Sequence, residues 1–534
     1  MAKRAALVFF FFTFCMGALA LRVMRMPLTQ PAQRASGSMS VLVDRSRGML
    51  YDRDGKPLVH AETRYYAAAK PGAAASEALR PVLGAERWAA AAERMGRGAL
   101  VVTPVDTASI PCPDIEVLEA APRYGERQLA PHLIGYLKKE TGRGVSGLEK
   151  SFDELLEGAS GELRVRLASD ALGRGLGGAA LEIEREGYRS AAGVKLTLDA
   201  GIQAIVEESM ALNGLAQGAV VVLDAATGEI LALASSPAFD PNGVAASLDD
   251  PGAPFFNRAL GAYPIGSTFK CFVAAAALEQ HRTGAERFAC AGELDVGGHI
   301  FHCNRREGHG ELDMAQALAV SCNLYFIQLA QTLEAQPTLD LMALFGFGDG
   351  AELAPALSGA RGNLPGLEEL AVPAELANFA FGQGKLLGTP LQMAAATACL
   401  ANGGVWHAPR LVLSTVEAGG AETPWPQANQ ERRVISAATA RALRGMMVAA
   451  IEQGRGLNAR PEIGGAGGKT ATAQSGSYGA DDREILRTGF TGFFPAENPK
   501  YVVTVFCENG VSGTADCGPV FQRIANAVNA RGGG

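Results

Sequence analysis

A serine and a lysine stand three residues apart where the chain breaks before an apolar, helix-like run. The four residues are Ser267-Thr268-Phe269-Lys270, and they follow Pro264-Ile265-Gly266. Side chains three positions apart share one face of a helix, so the serine hydroxyl and the lysine amine can meet. Burial and the positive end of the helix dipole lower the pKa of such an amine, which can then take the hydroxyl proton. The pattern predicts a nucleophilic serine, although a helix-capping serine with a lysine one turn later has the same sequence.

Two further short motifs make this interpretation specific. Ser321-Cys322-Asn323 follows a helix-like run, and Lys469-Thr470-Ala471-Thr472 begins a strand-like run. Only one lysine of the chain has a serine three positions before it, only one lysine is followed by threonine, and Ser-x-Asn occurs once. Each motif alone is typical of a turn or a cap. The three in this order favour a single catalytic site.

The ordered set resembles the active-site motifs of serine penicillin-recognising enzymes, and most of the chain resembles a class B penicillin-binding protein, the monofunctional peptidoglycan D,D-transpeptidase. Other landmarks of that family match at eight places: Arg47–Gly55, His132–Tyr136, Gly147–Glu149, Leu196–Asp199, Gly228–Ala232, Phe239–Asn242, Gly382–Gly384 and Thr389–Gln392. The resemblance implies an α+β fold of the serine D,D-peptidase/β-lactamase type. That fold is an antiparallel five-stranded sheet with a helical insertion, preceded here by an N-terminal anchor and a small mixed pedestal domain.

The resemblance also implies a role for each residue of the first two motifs. Ser267 would attack the D-Ala-D-Ala carbonyl of a stem pentapeptide and release the terminal D-Ala, and Lys270 would take the serine proton. Ser321 would relay a proton to the leaving amine, while Asn323 would hold Lys270 and the substrate amide. An amine of a neighbouring stem would then attack the acyl-enzyme and form the crosslink.

In the third motif the resemblance implies that Lys469 supplies positive charge and that Thr470 and Thr472 bind the terminal carboxylate. The backbone N–H groups of Ser267 and Thr472 would form the oxyanion hole. The family usually has glycine after Lys-Thr, and here the residue is Ala471. Strand alternation places its methyl group on the side of Lys469, opposite the two threonines, where it could crowd the site or shift the strand.

The same resemblance implies the partners and leaves two other functions open. The partners would be peptidoglycan stem peptides on lipid-linked precursors or nascent glycan, β-lactam antibiotics that acylate Ser267, and a membrane glycosyltransferase. One alternative is a non-catalytic or weakly catalytic partner that activates such a glycosyltransferase, and Ala471 is the residue that favours it. The other is a β-lactamase or β-lactam sensor on the same fold. The long segment from Val41 to Leu198 disfavours a secreted β-lactamase, and the single N-terminal anchor disfavours a membrane sensor with several spans.

The elements that would position the motifs form a sheet interrupted by a helical insertion. Alternating and apolar runs bounded by turn residues predict five strands: Ala219–Leu223, Ile230–Ser235, Lys469–Gln474, Thr488–Phe494 and Tyr501–Glu508. Helical periodicity dominates from Thr268 to about residue 450, and Pro519–Asn529 reads as a closing helix. Two early strands separated from three late ones by helices are typical of an α+β domain.

The N-terminus carries a membrane signal. Lys3 and Arg4 precede an uncharged stretch at 5–21, and a helix of that length is about 26 Å long, enough to cross a bilayer core. The competing interpretation is a cleaved signal peptide, because Ala18-Leu19-Ala20 has the small-x-small pattern. Together with the resemblance, this predicts a single-pass protein of the bacterial cell membrane with its catalytic domain outside the cytoplasm.

The predicted domain boundaries follow from these signals. Five segments result: 1–4 as the cytoplasmic N-terminus, 5–21 as the anchor, 22–40 as a linker, 41–194 as the pedestal, and 195–534 as the penicillin-binding transpeptidase domain. The 534 residues, 48% hydrophobic and 19% charged, exclude collagen-like, mainly disordered and polytopic membrane proteins. The net charge of −7, without a run of five lysines or arginines, argues against a nucleic-acid partner.

The nine cysteines leave their chemistry open. Cys290 with Cys303, and Cys507 with Cys517, are close in sequence, but a disulfide requires Cα atoms within about 7 Å. A zinc site is also compatible with two histidines near Cys303, although the spacing fits no compact zinc motif: His302 and His309. Disulfides, free thiols and a metal all remain open, and no cofactor or metal is assigned to the predicted reaction.

Overall fold

The computed structural model describes residues 2–24, 37–176, 178–426, 430–478 and 484–532. The chain forms two compact units that interleave along the sequence. The first unit contains the chain up to Asp44, Arg64–Ala120 and Glu162–Glu186, and the second contains Arg45–Thr63, Ala121–Gly161 and Gly187–Gly534. Segments on both sides of residue 194 belong to the second unit, so this division follows other bounds than the single boundary predicted there. The boundary after residue 194 stays a prediction.

The first unit combines short strands with alanine-rich helices. Its strands are Ser38–Ser46, Arg64–Ala69, Val101–Val105, Ile115–Ala120, Gly161–Ala168 and Glu182–Glu186. Its helices are Ala2–Met24, Ala73–Leu79 and Ala85–Gly96. Arg64–Ala69 is the central strand of an antiparallel sheet of three, and its alanines form a small core with Leu79 and Met95. Small residues on this strand let the helices pack closely on the sheet.

The predicted anchor at 5–21 lies within the helix Ala2–Met24. Among the helices that the structure describes, none is both long enough and apolar enough to span a membrane. The side chains of residues 5–8 and 21 lie outside the described part, as do residues 25–36 of the predicted linker.

The second unit is built on the predicted five-stranded antiparallel sheet. Its spatial order is Ile230–Ser236, Gly218–Asp224, Tyr501–Gly510, Glu484–Phe494 and Gly467–Tyr478. The α+β prediction is confirmed, since two early strands pair with three late ones across a helical insertion. The strand that carries the Lys-Thr-Ala-Thr motif lies at an edge of the sheet, so one side of its backbone is available for other partners.

Both faces of this sheet are covered, which explains the nearly continuous apolar run in Gly218–Asp224. Val220 and Val222 face a core shared with the helices Ala200–Leu212 and Gly518–Gly532. Val221 and its neighbours on the other face contribute to the larger core with the central helices. The fully buried helix Pro390–Ala401 lies there, and it is apolar all round because protein surrounds it.

The other elements of the second unit surround this framework. The remaining helices are Pro131–Ile134, Gly147–Ser151, Asp153–Gly158, Lys270–Glu279, Met314–Val320, Asn323–Ala330, Ala335–Leu344, Leu367–Leu370, Pro373–Ala380 and Ala437–Glu452. The remaining strands are Met49–Tyr51, Gly193–Leu196, Tyr263–Pro264, Phe288–Cys290, Glu293–Val296, His299–His302, Gly310–Leu312, Glu352–Ala354, Leu357–Ser358, Leu387–Gly388, Val405–His407, Val412–Val416, Glu422–Pro424 and Glu431–Arg433.

A buried ion cluster joins two of the landmark segments quoted above. Glu149 is fully buried, and its carboxylate lies 3.3 Å from Arg47 and 2.7 Å from Arg123. Tyr124 donates its hydroxyl to the same carboxylate at 3.1 Å. These two landmarks are thus held together by one charge cluster within the second unit.

Removing the carboxylate of Glu149 should destabilise the protein strongly. Glu149→Gln removes the buried carboxylate that pairs with Arg123, while Arg47 keeps Asp153 and Glu157, so we expect the free energy of unfolding to fall by about 3 to 5 kcal/mol. Glu157, half-exposed, also pairs with Arg47, so Glu157→Gln is the matched control and should cost about 1 kcal/mol or less. Denaturant unfolding of the three proteins measures both effects, and equal losses would contradict the assignment.

Candidate active site

Ser267 lies in a tight turn that leads into a buried helix. Residues Gly266–Phe269 form a 3₁₀ turn, and Lys270–Glu279 continues from it as an α-helix. A 3₁₀ helix has three residues per turn, so the side chains of Ser267 and Lys270 eclipse each other. The turn is fixed from below by the buried ring of Phe269, which packs against Phe272, Phe347 and Phe379.

The amine of Lys270 is the centre of a hydrogen-bond network. It is fully buried, lies 3.1 Å from Ser267 Oγ, and donates to the Ser321 carbonyl at 2.9 Å and to Asn323 Oδ1 at 2.6 Å. Because those two acceptors carry no hydrogen, a neutral amine directs both of its N–H groups at them. Its lone pair is then left for the Ser267 hydroxyl, which is the geometry required of a base that deprotonates serine.

The Ser-Cys-Asn motif occupies the break between the helices Met314–Val320 and Asn323–Ala330. Ser321 ends the first helix with a φ of 59°, a left-handed conformation that is uncommon outside glycine and concentrated at functional sites. Both the carbonyl and the hydroxyl of Ser321 contact the Lys270 amine. The unusual backbone conformation therefore places two oxygens of one residue beside the base.

Lys469 is the second buried amine of the site. Its Nζ donates to Ser321 Oγ at 3.0 Å and to the Thr470 carbonyl at 3.0 Å. Burial lowers the pKa of Lys469 to about 8. Burial, followed by the positive charge of Lys469, lowers the pKa of Lys270 well below that of an ordinary lysine. Burial thus makes both amines easier to deprotonate than an ordinary lysine, and the charge of Lys469 adds to this effect at Lys270.

The edge strand presents the third motif with alternating faces. The methyl group of Ala471 is buried on the same side as Lys469, as predicted from the strand period. It lies opposite Gly489, and a Cβ placed on Gly266 would come 3.3 Å from it. Neither glycine has a side chain, so both leave room for the methyl. The methyl group of Ala471, which the family's usual glycine lacks, is thus packed beneath the Ser267 turn.

The two threonines of this motif have different surroundings. Thr470 is 7% exposed, and its carbonyl accepts from Lys469. Thr472 is exposed at the edge strand, and its hydroxyl accepts from the Gly513 N–H at 3.3 Å. Of the seven predicted residues, five share one side-chain network, while the threonines adjoin it along the strand.

Two supports of the site have roles that the motifs did not indicate. Asn304 Nδ2 donates at 3.2 Å to the same Ser321 carbonyl that accepts from Lys270. The Gly382 carbonyl accepts from the Gly266 N–H at 2.8 Å, and a Cβ on Gly382 would lie 2.2 Å from the Gly266 oxygen. The sequence indicated Gly382–Gly384 as a family landmark but not what it contacts. Nothing in the sequence indicated a role for Asn304.

Comparison with known proteins identifies the family. Residues 218–529, more than half of the chain, match the family described as "Penicillin binding protein transpeptidase domain". The chain belongs to this family. The matched residues include all three motifs of the hydrogen-bond network, so the resemblance read from the motifs is confirmed at the level of the family.

Individual relatives are moderately similar. Stage V sporulation protein D of Bacillus subtilis is 31% identical over 71% of this chain and 58% of its own length. Peptidoglycan D,D-transpeptidase MrdA of Acinetobacter baumannii is 28% identical over 73% of this chain and 63% of its own length. The chain thus spans less than two thirds of either relative.

A solved structure shares the fold. It is described as "Structural coordination of polymerization and crosslinking by a peptidoglycan synthase complex", and one of its chains superposes with a TM-score of 0.68. The two chains are 24% identical, and the match covers 98% of each.

The two lysines should give the acylation of Ser267 by a penicillin a bell-shaped pH dependence. We expect the second-order rate to rise as Lys270 becomes neutral, well below the pH at which an ordinary lysine does, and to fall above about pH 8 as Lys469 loses its charge. The measurement is the rate of labelling by a fluorescent penicillin from about pH 5 to about pH 10. In Lys469→Arg the falling limb should move to higher pH, because a guanidinium stays charged. A rate that climbs steadily across the whole range would contradict the assigned roles.

Proposed function

We propose that the protein is a serine-type peptidoglycan D,D-transpeptidase that crosslinks stem peptides through an acyl-enzyme on Ser267. The observation that carries the proposal is the single network of five side chains: Ser267, Lys270, Ser321, Asn323 and Lys469. The network joins a nucleophile and its base directly, and it joins both to a positive charge through the Ser321 hydroxyl. These are the components that acyl transfer through a serine ester requires.

In the first step, Ser267 Oγ forms a bond to the carbonyl carbon of the penultimate D-Ala. Its proton passes to Lys270 Nζ, which lies 3.1 Å away. As the peptide bond breaks, the leaving nitrogen of the terminal D-Ala takes a proton from the lysine through Ser321 Oγ, which lies 3.3 Å from Lys270. The products are a serine ester and free D-Ala, and the lysine is again neutral.

The edge strand is suited to bind the extended substrate beside the nucleophile. The Ser267 turn and this strand are close, since a Cβ on Gly266 would lie 3.6 Å from the Ala473 nitrogen. Backbone N–H groups of Ser267 and Thr472 are therefore the proposed oxyanion donors. The charge of Lys469 and the exposed hydroxyl of Thr472 favour the terminal carboxylate at this edge, and Thr470 is proposed to assist.

In the second step, an amine of a neighbouring stem attacks the ester carbonyl. Lys270 accepts the amine proton, the new peptide bond forms, and Ser267 leaves with a proton returned through the same network. Both half-reactions use one base in alternating protonation states, so the lowered pKa of Lys270 serves each of them. The same first step with a β-lactam ring gives a covalent penicillin adduct.

The N-terminal helix is proposed to hold the protein at the bacterial cell membrane, with the catalytic unit outside the cytoplasm. Support comes from the uncharged stretch at 5–21 and from four consecutive phenylalanines, Phe9–Phe12, that are 66% to 77% exposed. Apolar surface of this kind requires an apolar environment. A membrane glycosyltransferase is the proposed partner, supported by the similar chain in the structure described as a peptidoglycan synthase complex.

A penicillin should form one covalent adduct with this protein, at Ser267. Intact-mass analysis after incubation with benzylpenicillin should show a single addition in the parent and none in Ser267→Ala. Lys270→Arg keeps the positive charge but does not readily lose a proton, so its acylation should fall by at least about a hundredfold. Acylated Ser267→Ala protein, or Lys270→Arg at the parent rate, would overturn these roles. Unchanged thermal unfolding of both variants is the control for folding.

Replacing Ala471 with glycine tests the non-catalytic alternative. Because the methyl is buried beneath the turn, we expect Ala471→Gly to lower stability by about 0.5 to 1 kcal/mol and to change the acylation rate by less than about tenfold. The matched control is Ala473→Gly, two residues along on the same buried face. An inert parent with a reactive Ala471→Gly protein would identify the chain as a natural scaffold rather than an enzyme.

A further inference from the structure

Three cysteines and one histidine converge beside the candidate active site. Cys290, Cys303, His309 and Cys322 each direct one ligand atom into a common space, and these atoms all lie within 4.8 Å of one another. The three thiols are buried. The four residues come from separate places in the chain, so their convergence is a product of the tertiary fold.

Three of the six separations between the ligand atoms are close to the edges of a metal-centred tetrahedron. Zinc–sulfur and zinc–nitrogen bonds of ordinary length give edges of about 3.8 Å between two sulfurs and about 3.6 Å between a sulfur and a nitrogen. In the structure, Cys303 Sγ lies 3.8 Å from Cys322 Sγ and 3.4 Å from His309 Nδ1. Cys290 Sγ lies 3.5 Å from the same nitrogen. We infer that these four residues form a structural zinc site.

The backbone around the cluster is shaped to bring the ligands together. The His309 N–H donates to the Cys290 carbonyl at 3.0 Å, and the Cys303 N–H donates to the Gly292 carbonyl at 2.9 Å. Gly308 has a φ of 81°, and a Cβ there would lie 2.2 Å from the Cys290 oxygen. Only glycine permits this close approach of the two segments.

One of the sulfurs also accepts a backbone hydrogen bond, as expected for a thiolate ligand. The Tyr325 N–H donates to Cys322 Sγ at 3.4 Å. A set of three thiolates and one imidazole in a tetrahedral arrangement selects zinc among the common divalent ions.

Other roles for these side chains fit the geometry less well. All nine cysteines are free thiols, and the separation of 3.8 Å between Cys303 and Cys322 is far longer than a disulfide. Of the two histidines near Cys303, only His309 belongs to the cluster. The imidazole of His302 is 42% exposed and pairs with Glu293. A core of buried thiols alone does not require an imidazole at its centre.

The zinc site holds the Ser321–Asn323 segment through Cys322. Cys322 is the middle residue of that motif, and both of its neighbours bind the Lys270 amine. Asn304, next to the ligand Cys303, donates to the Ser321 carbonyl. Metal binding therefore positions the serine and the asparagine without contacting substrate, in the way outer groups orient catalytic side chains. The site itself is independent of the proposed function.

Metal content is the direct test. The full chain, purified from cells grown with added zinc, should contain about one zinc per chain by elemental mass spectrometry. Cys303→Ser and His309→Ala should each retain less than about a tenth of that amount. The matched controls His302→Ala and Cys112→Ser should keep the parent content. Ser267→Ala should also keep it, so this result does not depend on the proposed transpeptidase activity.

A second measurement uses the parent protein and needs no variant to fold. Replacement of the metal by Co²⁺ should produce the intense visible absorption of a tetrahedral site with thiolate ligands. Removal of the metal by a chelator should lower the melting temperature and slow penicillin acylation by at least about tenfold. Parent protein free of zinc, zinc retained in Cys303→Ser, iron in place of zinc, or a mass two protons lighter from a disulfide would each overturn the inference.

Discussion

The burial of one lysine amine is the constraint on which the rest of the candidate site depends. Lys270 Nζ is removed from water and is satisfied by oxygens from its own turn and from the Ser321–Asn323 segment. An amine buried without such partners would cost several kcal/mol. The hydrogen bonds that offset this cost also determine where Ser267, Ser321 and Asn323 lie, so folding and positioning of the nucleophile are one requirement.

Lys469 is a second buried amine beside Lys270, and the two lysines are suited to different roles in the reaction. Lys469 shares the Ser321 hydroxyl with Lys270, and among the described residues neither lysine has a carboxylate within ion-pair distance. Two positive charges so close together disfavour each other, and the charge of Lys469 adds to burial in lowering the pKa of Lys270. Lys270, which contacts Ser267 Oγ, is suited to be the base, and Lys469 is suited to supply charge for an anionic substrate.

The Ser321–Asn323 segment is held by two sets of contacts. Ser321 binds the lysine amines, and Cys322 enters the cysteine and histidine cluster. Such support explains how Ser321 keeps a left-handed backbone conformation. The sheet supplies the remaining contact, because the edge strand places Lys469 against this segment and packs Ala471 beneath the Ser267 turn.

The sequence by itself determined the three motifs, the α+β class and the five strands, because these depend on local spacing and periodicity. It also placed Ala471 on the face of Lys469, since strand alternation is local. Only the tertiary structure decided what that methyl contacts, which histidine joins the cysteines, and how the two units interleave. The contact between Asn304 and the Ser321 carbonyl likewise could not be predicted from the sequence. These features arise from contacts between residues far apart in the chain, and such contacts leave no spacing pattern in the sequence.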